Sequence, residues 1–191
     1  NLETENKQLT QQVAKSHKLD RLIGKSLEIQ KVSELIQQVS PTRATVMTGR
    51  HHHRSGTFAP GWSLRPKEIT VAQLMRDAGY ATAHFGKWHL GTMTTEVKDS
   101  NRGRPGATQH FSPPWEHGFD ACFSTEAKVP TLDPMVTPPR EHGGVARDLV
   151  PGGPYGTAYW TGPGERVTEG LEGDDSTLIM DRALGFMDAA A

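Results

Sequence analysis

The chain has 191 residues, a net charge of −1 and a pI near 6.8, which is length enough for one domain with a real core and lacks the clustered basic surplus of a nucleic-acid-binding surface. Hydrophobic content is 35% and mean hydropathy −0.57, with 20 Gly and 13 Pro that fall mainly after residue 100, a pattern that predicts long ordered loops or a poorly packed second half. The single cysteine, Cys122, excludes an internal disulfide, no apolar run approaches the roughly 20 residues of a membrane span, and the polar opening Asn1–Asp20 has no apolar signal-peptide core, so a cytoplasmic chain is expected from the sequence as written.

Residues 1–20 read as a polar helix with a thin apolar stripe of Leu2, Leu9, Val13 and Leu19. Ser16 stands where a third heptad leucine belongs, which favours a solvated linker helix over a dimerising one. A second helix is predicted over residues 27–39, with Ser26 as N-cap, Glu28 facing the positive end of the dipole, and Ile29, Val32, Leu35, Ile36 and Val39 on one face. Pro41 stops or redirects the chain. Ala44 to Thr48 is either a short buried strand or the first turn of a buried helix; periodicity does not separate the two. Thr70 and Gln73 form a capping box for a helix whose buried face is expected to be Val71, Leu74, Met75 and Ala78, with Gly79 as C-cap. Tyr80 to Phe85 follows as a strand, and this helix–strand succession suits an α/β layer fold. Residues 92–165 read as loops with an extended stretch near Phe119 to Phe123. Asp174 and Asp175 open a last helix whose apolar face is Leu178, Ile179, Ala183, Phe186, Met187 and Ala190.

Two clusters can carry chemistry. Ser40-Pro41-Thr42-Arg43 continues to Thr48-Gly49-Arg50, and Gly86-Lys87-Trp88-His89-Leu90-Gly91 follows. Glycine-flanked turns let backbone approach a ligand. Arg43 offers a planar fork of donors, Lys87 a point charge and His89 a donor or proton shuttle, all suited to a tetrahedral oxyanion; the alternative is that they are turn residues and solvated charges.

These segments resemble the two signatures of the sulfatase family: Ser40 to Arg50 is similar to the first, written C-[S]-P-x-R-A-x-x-x-T-G-R, and Gly86 to Gly91 to the second. Leu64-Arg65-Pro66, Thr70-Val71-Ala72 and Gly118-Phe119-Asp120 sit where the family has similar stretches, and Gly156 to Trp160 and Gly173 to Arg182 look like later sulfatase segments. The resemblance implies a fragment of the alkaline-phosphatase-like α/β fold over residues 40–191, preceded by a helical segment over residues 1–39. It also implies hydrolysis of a sulfate ester carried on a carbohydrate, by the hydrate of a formylglycine made from cysteine, beside a calcium ion held by Asp and Asn oxygens. Arg43 then steadies the formylglycine, and Lys87 and His89 bind the sulfate oxygens or help the leaving group.

The departures from that pattern lie at the reacting centre. Val39 stands at the position of the modified cysteine and cannot become an aldehyde; Ser40 is one place out of register, and Cys122 is read as a buried structural thiol. Residues 1–39 contain no Asp-Asp calcium pair, the later Asp-Asn ligands would follow Ala191, and Asp174-Asp175 is read as a helix start rather than a metal pair. The expected product is a sulfatase-lineage chain without turnover, marginally stable and prone to aggregate. The alternatives are a catalytically dead anion-binding module or a helical interaction segment.

That last reading comes from the N-terminus. Leu22 to Ser26, Glu28 to Val32, Leu35-Ile36 and Val39 to Thr42 resemble the opening of the AAA+ domain of sigma-54-dependent transcription activators, which implies a junction near Val39–Val46 between an activator start and a sulfatase middle. Gly24-Lys25-Ser26 is no P-loop, because Leu19 sits where the first glycine is required. His51-His52-His53 is read on extended chain, where at most two rings converge, as a substrate-facing basic loop ahead of a metal site. Trp88 and Trp160 are candidates for a sugar site, with buried packing the commoner fate.

Overall fold

The computed structural model of the chain describes residues 43–57, 62–100, 102–140 and 149–190. The helices predicted over residues 1–39, the activator-like segment, Val39 and Ser40 lie outside the described residues. Arg43–Thr48 form α1. Of the two readings for this stretch the helix is correct: a strand would turn Ala44 and Val46 to the same side, whereas Ala44 is fully buried and Val46 is 64% exposed. His52–Ser55 form α2, so the histidine run is not extended chain as expected from its sequence, and the His51 and His52 rings stack at 4.3 Å.

Val71–Asp77 form α3, opened by the predicted capping box: Gln73 N–H donates to Thr70 Oγ1 at 3.1 Å and Thr70 N–H to Gln73 Oε1 at 2.9 Å. Ala78 is the C-cap, and Gly79 follows in the left-handed region. The expected buried face is wrong: Val71, Leu74 and Met75 are 48%, 60% and 40% exposed, Ala78 is exposed, and Ala72 is the buried residue of the helix. The reason lies in the partner surface. Thr70 Oγ1 donates to the His117 carbonyl at 2.6 Å, and a Cβ on Gly118 would lie 2.5 Å from the Gln73 nitrogen. The helix therefore rests backbone-close on Gly118 through its small side, which turns the larger residues outward.

Ala83–Lys87 form β1, three residues later than the strand predicted from Tyr80. Ala121–Thr125 form β2, Trp160–Gly162 form β3 and Glu165–Arg166 form β4. They make one sheet in the order β1-β2-β3-β4. Strands β1 and β2 are parallel, in register from Ala83↔Ala121 to Lys87↔Thr125, and the other two pairings are antiparallel. The long connection from β1 to β2 carries a 3-10 turn at Pro114–His117.

Alternation along the strands sorts the core onto two faces. One face holds Trp160 with Ala44, Leu64, Trp88, Leu90, Met93 and Ala158, against which Phe119 packs; the His84 ring lies edge-on to Trp88 and Phe119. The other holds Phe123, Tyr159 and Leu171, with Phe85 and Ile179 against them. Asp175–Ala190 form α4, which covers this second face without burying any residue fully. Leu178, Ile179, Ala183 and Phe186 are half-buried as predicted, but Met187 and Ala190 are exposed. Arg182 takes the middle of the seam instead, its guanidinium 4.5 Å above the Phe123 ring. Asp174 Oδ1 accepts from Thr177 N–H at 3.0 Å, so the acidic pair does start the helix.

Among the described residues the Gly- and Pro-rich part runs as long loops tied by backbone hydrogen bonds. Asp99, 1% exposed, accepts from Trp160 Nε1 at 2.7 Å and from Ala158 N–H at 3.1 Å. No helix among the described residues is long and apolar enough to cross a membrane.

Candidate functional site

Arg43, Lys87 and His89, 44 and 46 positions apart from end to end in sequence, meet at the carboxyl end of β1. Arg43 opens α1, and its Nη1 donates to the carbonyl oxygens of Lys87 and, at 3.3 Å, Trp88. One guanidinium thus ties the first signature to the second, while a guanidinium has five donors in all. Arg50, at the end of the first signature, is held separately by the buried Glu68 carboxylate at 2.8 Å.

Lys87 is the last residue of β1. The ladder runs on past the strand end: Trp88 N–H donates to Thr125 O at 2.8 Å and His89 N–H to Glu126 O at 3.1 Å. His89 has φ of 55°, a left-handed conformation that a non-glycine residue keeps only where its surroundings impose it, at a cost on the order of 1 kcal/mol. That bend brings the imidazole and the Lys87 ammonium into one site. Gly91 completes the turn because a Cβ there would lie 2.5 Å from Ser112 Cβ and 2.7 Å from its carbonyl oxygen.

The site is cationic and partly desolvated. Burial, then Lys87, Arg43 and Arg102, push His89 down to about 4. Burial, then Arg43 and Lys128, lower Lys87, and burial lowers Arg43. His84, beneath the site with Nδ1 2.7 Å from Ser124 Oγ, is pushed down to about 4 by burial and by Arg43. The Coulomb part of these shifts comes from like charges gathered in one place, a field that an anion would oppose, and the neutral His89 ring remains a hydrogen-bond donor. Arg102 and Lys128, which sense the same field, belong to neither signature and were not singled out from sequence; only the fold brings them here.

Other expectations resolve away from the site. Trp88 and Trp160 are 1% and 3% exposed, and their Nε1 groups are spent on Ser112 O and Asp99 Oδ2; both are core, not sugar platforms. Cys122 is buried on β2, its thiol pushed up to about 12 by burial first and by Asp120 second. Among the described residues no group of three or more His, Cys, Asp and Glu could hold a metal ion, and the oxygens of Asp99 are already engaged inside the core. Among the described residues, then, no donor set fits a calcium ion.

The sulfatase family model matches residues 37–190. The steryl-sulfatase of Mus musculus is 33% identical over 160 residues, covering 78% of this chain and 21% of that protein. An arylsulfatase of Hemicentrotus pulcherrimus is 40% identical over 89 residues, or 42% of this chain and 14% of its own. The chain thus spans about a fifth, 21%, of the length of the first of these relatives. The crystal structure of Ps i-CgsB, solved also in complex with k-i-k-neocarrahexaose, shares the fold with a TM-score of 0.51 at 22% identity, over 78% of this chain and 30% of that one. With two ordered signatures joined by Arg43 and a family match over most of its length, this chain belongs to the sulfatase family.

Proposed function

We propose that this chain recognises a sulfate ester through Arg43, Lys87 and His89 and does not hydrolyse it. The observation that carries the reading is the Arg43 guanidinium on the Lys87 and Trp88 carbonyls, which assembles three donors on one side of the strand end. Lys87 supplies a point charge, Arg43 a fork of donors and His89 a neutral ring N–H, a set suited to the oxygens of a tetrahedral anion. No turnover is expected, because Val39 stands at the nucleophile position and a valine side chain can neither become an aldehyde nor attack sulfur. The carrier of the ester is taken to be a carbohydrate, in keeping with the saccharide bound by Ps i-CgsB.

Isothermal titration of the whole chain with inorganic sulfate tests recognition. Binding that is lost in Lys87→Ala is expected, and a wild-type chain with no binding overturns the reading. Incubation with a simple aryl sulfate and added calcium tests the second half: release of inorganic sulfate above a no-protein control would show that the chain is an active hydrolase.

A further inference from the structure

We infer that Arg50 and Glu68 are positioning residues for anion recognition: their ion pair fixes the far end of α1 and so aims the Arg43 guanidinium into the site. The inference rests on the sulfate-recognition reading above and adds the device that holds its donors in place.

The helix that carries Arg43 is too short to hold itself. It has 6 residues, under two turns, and its own hydrogen bonds do not make a helix of that length stable. Its direction is set by the burial of Ala44 in the core and by what grips its two ends. At the first residue, Arg43 Nη1 donates to the Lys87 and Trp88 carbonyls. At the other end Thr48 Oγ1 donates to Ala44 O and Gly49 N–H to Thr45 O, both at 2.8 Å, and Arg50 N–H closes the turn on Thr48 Oγ1 at 3.2 Å. Arg50 Nη1 then donates to Glu68 Oε2 at 2.8 Å. At 1.5 Å per residue α1 is roughly 9 Å long, so a tilt of about 15° swings one end by about 2 Å relative to the other, well beyond the roughly 0.5 Å within which a preorganised donor must be held.

Glu68 is a fixed anchor. Its side chain is 2% exposed, against 49% for Arg50. Upstream of it Leu64 is fully buried and bonded on both sides of its backbone: Leu64 N–H donates to Leu90 O at 2.8 Å, and Leu64 O accepts from Ser112 Oγ at 2.7 Å. A turn follows, with Glu68 N–H on Arg65 O at 3.0 Å. Downstream, Thr70 Oγ1 donates to His117 O at 2.6 Å. The first signature is thus tied to the second twice, directly through Arg43 and through the chain of Arg50, Glu68, Leu64 and Leu90. Burying a carboxylate costs free energy that one ion pair does not reliably return. The pair therefore contributes geometry more than stability, and the geometry it fixes is that of the helix whose first residue is Arg43.

The test is calorimetric titration of the full chain with inorganic sulfate, with thermal unfolding of every variant followed in parallel. Neither Arg50 nor Glu68 is among the proposed sulfate donors, so a role confined to stability would leave the affinity of a folded variant unchanged. The double variant Arg50→Met with Glu68→Gln removes both charges and leaves no uncompensated buried ion. It is expected to unfold near the wild-type temperature and to bind sulfate about tenfold more weakly, the scale of one misplaced charge-assisted bond. Arg50→Lys keeps a point charge for the single contact with Glu68 Oε2 and should retain affinity within about threefold of wild type. Unchanged affinity in the folded double variant, or a loss in Arg50→Lys as large as in the double variant, overturns the inference. Should the double variant fail to fold, Arg50→Gln takes its place, keeping a donor toward Glu68 without the charge: an affinity loss of about tenfold is expected, and unchanged affinity overturns the inference. A wild-type chain that does not bind sulfate, or binding indifferent to Lys87→Ala, instead overturns the sulfate reading itself, and this inference falls with it.

Discussion

Gly118→Ala is the sharpest probe of how this fold is held. Gly118 has φ of 93°, and a Cβ there would meet Gln73 N at 2.5 Å, Gln73 Cγ at 2.6 Å and Gln73 Cα at 2.7 Å. The left-handed conformation costs an alanine roughly 1–2 kcal/mol relative to glycine. Relief of the contact requires α3 to move by most of an ångström against helix backbone, which adds about 1–3 kcal/mol of overpacking and threatens the Thr70 Oγ1 to His117 O bond of 2.6 Å. The expected loss is thus about 2–5 kcal/mol, a large part of the stability of a domain. Gly79→Ala is the control, since its φ is 88° but a Cβ there meets nothing within 4 Å; it should show the conformational part alone. At about 2–4 °C per kcal/mol for a chain of this size, Gly79→Ala should lower Tm by a few degrees and Gly118→Ala by about twice that or more. Equal shifts in scanning calorimetry would show that α3 does not rest on Gly118 and would refute the packing argument.

His117 is fully buried, and its Nε2 lies 2.6 Å from Ser112 Oγ, whose own proton goes to Leu64 O; burial pushes it from 6.5 to about 4. A base whose folded pKa is depressed stabilises the fold fully above its unfolded value and progressively less as pH falls toward the folded one, so its contribution should drop by about 2 kcal/mol between about pH 7 and about pH 5. Urea midpoints should show that slope, and His117→Gln should flatten it by this amount; an unchanged slope would contradict the assigned environment. Asp99→Ala leaves Trp160 Nε1–H and Ala158 N–H without acceptors and should cost about 2–4 kcal/mol in urea unfolding, with no loss counting against the anchoring role of that loop. Cys122, buried with its thiol at about 12, should react with Ellman's reagent only after denaturant is added; prompt reaction in native buffer would place the thiol at the surface.

Signals with a range of a few residues were legible before the structure. Thr70 and Gln73 cap α3 because a capping box needs only a hydroxyl and an amide three positions apart, and Asp174 and Asp175 start α4 for a similarly local reason. Binary pattern was less dependable. Val71, Leu74 and Met75 have helical spacing, yet they face outward, since the side of α3 that packs is set by Gly118, 45 positions from Gln73. Met187 likewise fits the stripe of α4, but Arg182 occupies the seam through the Phe123 ring.

Residue identity alone determined the chemical vocabulary: a guanidinium at 43, an ammonium at 87, an imidazole at 89, and a side chain at 39 with no nucleophile. Tertiary structure decided which charges share a site. Lys87 and Thr125 become neighbours only through parallel pairing, and that pairing, with the loop closed at Asp99 and Gly103, draws Lys128 and Arg102 toward Lys87 and His89. Coulomb energy depends on distance in space, and the spacing of residues along a chain carries no measure of that distance once a sheet has formed.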